Sequence, residues 1–150
     1  RSLLQLMLTE EYFNKPNPKS TGPDFFNLEW VKNTIDKNGE EVQPEDLQST
    51  LLELTVMSLT KEIKSLGVIS NGLYFCGGGI HNKGLMKRIE KELGCRILTT
   101  ADIGVDPDYL EATSFAWFAA QRIKGRKFDL SKVTGSNREV FLGVITEPAI

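Results

Sequence analysis

Histidine occurs once and cysteine twice in this 150-residue chain, and that scarcity removes several chemistries at the outset. A metal site built from His and Cys needs three or four ligands at set spacings, and a nucleophilic triad needs an oriented acid. His81 has no acidic or cysteine partner spaced for either. Cys76 and Cys95 do not amount to a disulfide framework. Each sits at the edge of an expected strand, where a small buried thiol packs well, so a reduced, cytoplasmic compartment fits best. Charge of one sign is lacking too: 18 Lys and Arg stand against 20 Asp and Glu, for a formal charge of -2. No window joins basic residues to interleaved aromatics, which argues against nucleic acid and against anionic membrane as partners. The apolar runs at 3–8 and 115–120 fall far short of the roughly 20 residues a bilayer span requires, so no membrane span is expected. Neither an initiator methionine nor a signal-peptide pattern stands at Arg1, which suggests a fragment, a processed chain or an omitted leader.

What is present suits one compact globular unit, with 40% hydrophobic and 25% charged residues and neither repeats nor low-complexity tracts. Residues 3–13 read as a helix that stops before Pro16 and Pro18. Asp24 is the expected cap of a short helix through Ile35, and Asn38-Gly39 is a turn signal. Pro44 followed by Glu45 and Asp46 opens what should be the longest helix, with one stripe through Leu47, Leu51, Leu54, Ser58, Ile63 and Leu66 and a stop at Gly67. The period then changes. Residues 73–76 form a short apolar run of the kind found in a strand covered on both faces. Gly77, Gly78 and Gly79 follow, then Asn82 as the cap of a helix carrying Leu85, Met86, Ile89 and Leu93, which Gly94 ends. A second strand at 95–98 completes a strand, glycine turn, helix, strand unit, whose crossover implies parallel neighbours. Asp106 and Pro107 are expected to open a further helix running toward Gly125, and a last strand is expected at 140–145. The economical fold is α/β, a small, mostly parallel sheet flanked by helices.

The glycine turn carries the functional signal. It sets backbone N–H groups near a helix start with no Cβ to obstruct a flat or anionic ligand, the outline of a nucleotide site. The alternative is a tight turn that packs closely and binds nothing. Two phosphate motifs can be tested against it. A Walker loop requires Ser or Thr after its lysine, and Gly84 follows Lys83; a dinucleotide fingerprint wants glycine at Asn82 and an acid at the end of the next strand, where Thr99 and Thr100 stand.

Residues 75–82, Phe-Cys-Gly-Gly-Gly-Ile-His-Asn, with Leu85-Met86 shortly after, resemble the adenosine-side loop of the anhydro-N-acetylmuramic acid kinases. Further motifs occur in the family's order: Pro18-Lys19-Ser20-Thr21-Gly22 before Phe26-Asn27-Leu28, Thr99-Thr100 before Gly104-Val105-Asp106-Pro107-Asp108, Glu111-Ala112 before Phe115-Ala116-Trp117, and Thr134-Gly135 before Leu142-Gly143. Pro23 departs from the arginine the family commonly carries there. The resemblance covers nearly the whole chain and implies an incomplete actin-like ATPase (RNase H-like) domain, with residues 1–150 as the C-terminal, nucleotide-facing lobe. It implies ATP and Mg²⁺ as cofactors, and transfer of the γ-phosphoryl to the 6-oxygen of 1,6-anhydro-N-acetylmuramic acid while water opens the anhydro ring, a step of cell-wall recycling. Gly77, Gly78, Gly79 and Asn82 would then meet the nucleotide and Glu111 the sugar, with Lys19 a candidate phosphate contact. Asp106 and Asp108 are expected as a cap and a solvated acid, and an acid at Glu111 can also simply complement a helix dipole. The family's Asp-Thr-Gly-Pro-Gly-Asn stretch, which holds the catalytic base, and its early Gly-Thr-Ser-rich phosphate loop have no counterpart in this sequence. No catalytic residue is therefore expected here, the N-terminal lobe of the same kinase is the implied partner, and a homodimer stays open. Other readings are an inactive folded piece with a packing role and the lobe of another actin-like sugar or acetate kinase.

Overall fold

A computed structural model describes residues 2–67 and 72–146. The chain is mixed α/β and mostly helical: α1 (Ser2–Leu8), α2 (Leu28–Asn38), α3 (Pro44–Ser65), β1 (Leu73–Phe75), α4 (Lys83–Leu93), β2 (Ile97–Thr99), α5 (Leu110–Ile123), β3 (Lys127–Phe128), α6 (Ser131–Thr134) and β4 (Val140–Phe141). The first expected helix is broken. The Thr9 hydroxyl donates to the Leu6 carbonyl at 2.7 Å and closes α1 early, and a separate 3₁₀ turn at Glu11–Asn14 brings Phe13 into the core beside Leu3 and Met7. The second begins later than expected. Asn27, not Asp24, is its cap, accepting from the Trp30 N–H at 2.9 Å.

α3 forms as its proline and acidic first turn require, but it buries two faces rather than one stripe. Leu47, Leu51 and Leu54 close a core with α1 and α2, around Leu3, Met7 and Phe13. Leu52, Val56, Leu59 and Ile63 close a second core with Ile89 and Leu93 of α4 and with Leu73, Phe75 and Ile97 of the sheet. α3 is thus the wall between two cores. Glu53 on α3 holds Arg88 on α4 through bonds of 2.7 Å to Nη2 and 3.1 Å to Nε.

β1 and β2 pair in parallel, Leu73 opposite Ile97 and Phe75 opposite Thr99, with α4 as the crossover. The sheet is covered on one face only: Tyr74, which alternation turns away from α4, is 50% exposed. Cys76 is exposed as well, so it is not the buried thiol the sequence pattern suggests. The last strand is shorter than expected and does not join that sheet. β4 pairs antiparallel with β3, giving two separate two-stranded sheets among the described residues. No helix of the described residues is long and apolar enough to cross a membrane.

Candidate functional site

β1 and β2 end on the same side, and the loops that leave them meet there. After β1, Gly77 turns the chain at φ +80°, a conformation L side chains rarely adopt, and its N–H donates to the Pro107 carbonyl at 2.9 Å. Residues Gly78–His81 then wind one 3₁₀ turn, so the glycines do not lead straight into α4. Asn82 follows as the cap of α4, its side-chain oxygen accepting from the Leu85 N–H at 3.0 Å. The Gly78 and Gly79 N–H groups open the 3₁₀ turn, where a helix's own ladder supplies no partner.

The three glycines are not equivalent. Gly77 is required by its backbone, whereas a Cβ on Gly78 would meet nothing within 4 Å, and one on Gly79 would make only ordinary contact with Leu85 at 3.8 Å. The fold of this chain therefore gives no steric reason for glycine at 78 and 79. What remains is room for something to lie against that backbone.

After β2, the Asp102 carboxylate accepts from the Thr99 N–H at 2.8 Å, Gly104 turns at φ +82°, and the loop returns to the glycine turn. Asp106 does not cap α5. Its carboxylate accepts from the Asp108 N–H at 2.9 Å in a local turn, and the helix starts only at Leu110, with Tyr109 before it making no side-chain cap bond. Asp108 is not merely solvated. Its two carboxylate oxygens lie 2.8 and 3.0 Å from His81 Nε2, giving His81 the acidic partner that no sequence spacing revealed, because the two are 27 residues apart. Glu111 is exposed in the first turn of α5, just beyond this junction.

Lys19 lies elsewhere. Its ammonium meets Glu62 at 2.6 Å, donates to the Tyr12 carbonyl at 3.4 Å and rests over the Tyr12 ring, with only 10% of the side chain exposed. Hydrogen bonds from Lys19 and then Asn17 hold the Glu62 carboxyl below its usual range. Glu62 is near the end of α3, whereas Gly84, beside the glycine turn, packs against Leu52; ten residues of helix put these about 15 Å apart. Within this chain Lys19 is thus paired with Glu62 and Tyr12, away from the glycine turn. A groove of about 1260 Å³ beside this lysine is lined by Leu8, Tyr12, Phe26, Trp30 and Leu54; of its ionic members, Lys19 pairs with Glu62 and Lys64 with Glu92, and Lys61 donates to the Phe13 carbonyl at 2.8 Å.

Comparison with known proteins agrees with the family resemblance. The family model for anhydro-N-acetylmuramic acid kinase matches residues 1–148. Curated proteins of that name are similar to the chain: 42% identical over 146 residues in Coxiella burnetii (strain RSA 493 / Nine Mile phase I), covering 95% of this chain and 38% of that protein. The relative in Pseudomonas syringae pv. syringae (strain B728a) is 42% identical over 145 residues, covering 96% of this chain and 40% of that protein. The one in Thiobacillus denitrificans (strain ATCC 25259 / T1) is 43% identical over 144 residues, covering 95% and 39%. The chain spans about two fifths of the length of these relatives. On the match across nearly all of its residues, the chain belongs to the anhydro-N-acetylmuramic acid kinase family.

Proposed function

We propose that this chain is the nucleotide-facing, C-terminal lobe of an ATP-dependent kinase that phosphorylates 1,6-anhydro-N-acetylmuramic acid while hydrolysing its anhydro ring, within an actin-like ATPase fold. The observation that carries the reading is the pair Gly78 and Gly79, whose missing side chains the fold does not explain and a bound nucleotide would. Adenosine lies against residues 77–79, with Asn82 fixing the start of α4 beside it. Glu111 contacts the sugar. Mg²⁺ neutralises charge on the phosphates when the nucleotide is bound. Among the described residues no cluster of three or more His, Cys, Asp and Glu could hold a metal ion. Mg²⁺ commonly binds through phosphates, waters and only one or two carboxylates, so it does not require such a cluster.

The remainder of such a kinase supplies the catalytic base and the other phosphate loop. It also covers the open sheet face at Tyr74 and the side of α5 on which Phe115, Trp117 and Ile123 are exposed. Large apolar side chains so exposed mark a surface that meets a partner, and the relatives carry additional length that would cover it. Replacing the matched portion of the Coxiella burnetii relative by this chain gives a hybrid that should convert the anhydro sugar and ATP to N-acetylmuramic acid 6-phosphate and ADP, while this chain alone should not. A folded hybrid without turnover of this sugar, or turnover by the chain alone, overturns the reading.

A further inference from the structure

In open α/β sheets, ligands bind in the crevice outside the carboxyl ends of the strands. Here the two loops at that position are tied at both ends of the glycine segment: Gly77 to Pro107 through a backbone bond of 2.9 Å, and His81 to Asp108 at 2.8 Å. Gly78 and Gly79 lie between the two ties. A carboxylate only accepts, so the His81 nitrogen facing Asp108 carries the proton. Asp108 is itself presented by the turn in which its N–H donates to Asp106.

We propose that the His81–Asp108 pair is a clasp that fixes the glycine turn in the shape a nucleotide requires, so that His81 and Asp108 act as positioning residues without touching the nucleotide. The inference rests on the reading that the nucleotide lies on this turn. Stabilising the fold is a poor account of the pair, since the two side chains are 64% and 48% exposed and polar contacts so exposed contribute little, charged or not. Preorganisation is a better one. Glycine-rich backbone has more conformational freedom to lose than any other, and a turn already held in place loses less of it when a ligand binds.

The test is amide-resolved NMR on this chain, with ADP titrated as the probe, for wild type, His81→Ala, Asp108→Ala, the double variant and His81→Lys. Melting temperatures should be unchanged, and exchange of the Gly77 and Ile80 amides should be faster in both single Ala variants without ligand. The ADP dissociation constant should rise about 3- to 10-fold in either single variant. It should rise no further in the double variant, and His81→Lys should recover most of it by placing a donor opposite the Asp108 carboxylate again. Unchanged exchange overturns the clasp whether or not ADP binds, as does unchanged affinity in the single variants. A loss confined to His81→Ala with Asp108→Ala silent makes His81 a direct contact and overturns it too, and a lowered melting temperature with general loss of protection makes the pair a fold-stabilising bridge. If wild type shows no ADP-dependent shifts at residues 77–82, the nucleotide reading itself fails, and the exchange data still decide whether the turn is clasped.

Discussion

Val56 and Ile89 are sealed between α3 and α4, whereas Phe115, Trp117 and Ile123 on α5 stand in solvent, although residues 44–99 and 105–146 are comparably rich in apolar residues. The difference is one of partners rather than composition. α3 and α4 each present an apolar face to the other and to the β1–β2 sheet, so Val56, Ile89 and Leu93 are buried within this chain. Among the described residues of 101–146 only Gln121 is buried, a polar residue, and the short β3–β4 pair covers little of α5. The glycine turn lies at the junction, held from one side by the packed half and from the other by residues 106–109. One half of the molecule is thus a folded scaffold, and the other is a surface.

The sharpest way to break that contrast is to truncate both sides. Ile89→Ala should cost about 2–5 kcal/mol in a denaturant titration, the range for deleting a sealed aliphatic side chain. Ile123→Ala should stay within about 0.5 kcal/mol, as surface changes do. Comparable losses at the two sites would mean that α5 is packed in solution in a way its exposure does not suggest.

The glycine turn sharpens the contrast further. Gly77→Ala forces a Cβ onto a backbone at φ +80° and should destabilise by about 1–2 kcal/mol. Gly78→Ala has neither a strained φ nor a neighbour within 4 Å to meet, so stability should hold or rise slightly while ADP binding weakens. Equal destabilisation by the two would return Gly78 to a purely structural role.

Inside the packed half, the Lys19–Glu62 pair predicts acid sensitivity. The Glu62 carboxyl is held low in the folded state, so its contribution is fully present above the ordinary carboxylate range and is lost as pH falls through the lowered value. Lys19→Met should lower stability at neutral pH by about 1 kcal/mol, between the small effect of exposed pairs and the larger one of buried pairs. It should also flatten the stability profile below about pH 4.5, in the carboxylate range. A variant that keeps the wild-type acid profile would assign the acid sensitivity elsewhere.

The sequence made the scaffold legible where several local signals agreed: Pro44 with its acidic turn, Asn82 as a cap, Gly94 at φ +64° and the crossover that implied β1 beside β2. It was silent where structure depends on distant partners. His81 and Asp108 meet across 27 residues, and Lys19 and Glu62 across 43, separations at which no period or motif operates. β3 has two residues, too few for alternation to register, whereas the strand expected at 140–145 forms only at Val140–Phe141. Caps were legible in type but not in position, since Asp24 and Asp106 are good capping residues and the chain used Asn27 and an uncapped Tyr109. Around the candidate site, the glycine turn and the Asn82 cap could be read, whereas the contact between His81 and Asp108 could not.

The smallest expected effect belongs to Glu111, on the exposed half. It lies in the first turn of α5, where no side chain caps the helix, so its charge complements the N-terminal dipole whatever else it does. Glu111→Gln should therefore lower the stability of this chain by about 0.3–1 kcal/mol, and that change alone does not separate the two roles. The separation comes from kinetics in the hybrid kinase. If Glu111 bonds a sugar hydroxyl or amide, the substitution should weaken sugar binding or turnover by about 1.5–3 kcal/mol, as loss of a charge-assisted bond does, with the ATP dependence unchanged. If the dipole is its only partner, the rate at subsaturating sugar should match the parent hybrid. The exposed half would then contribute to this kinase through the surface it presents to the remainder rather than through contact with substrate.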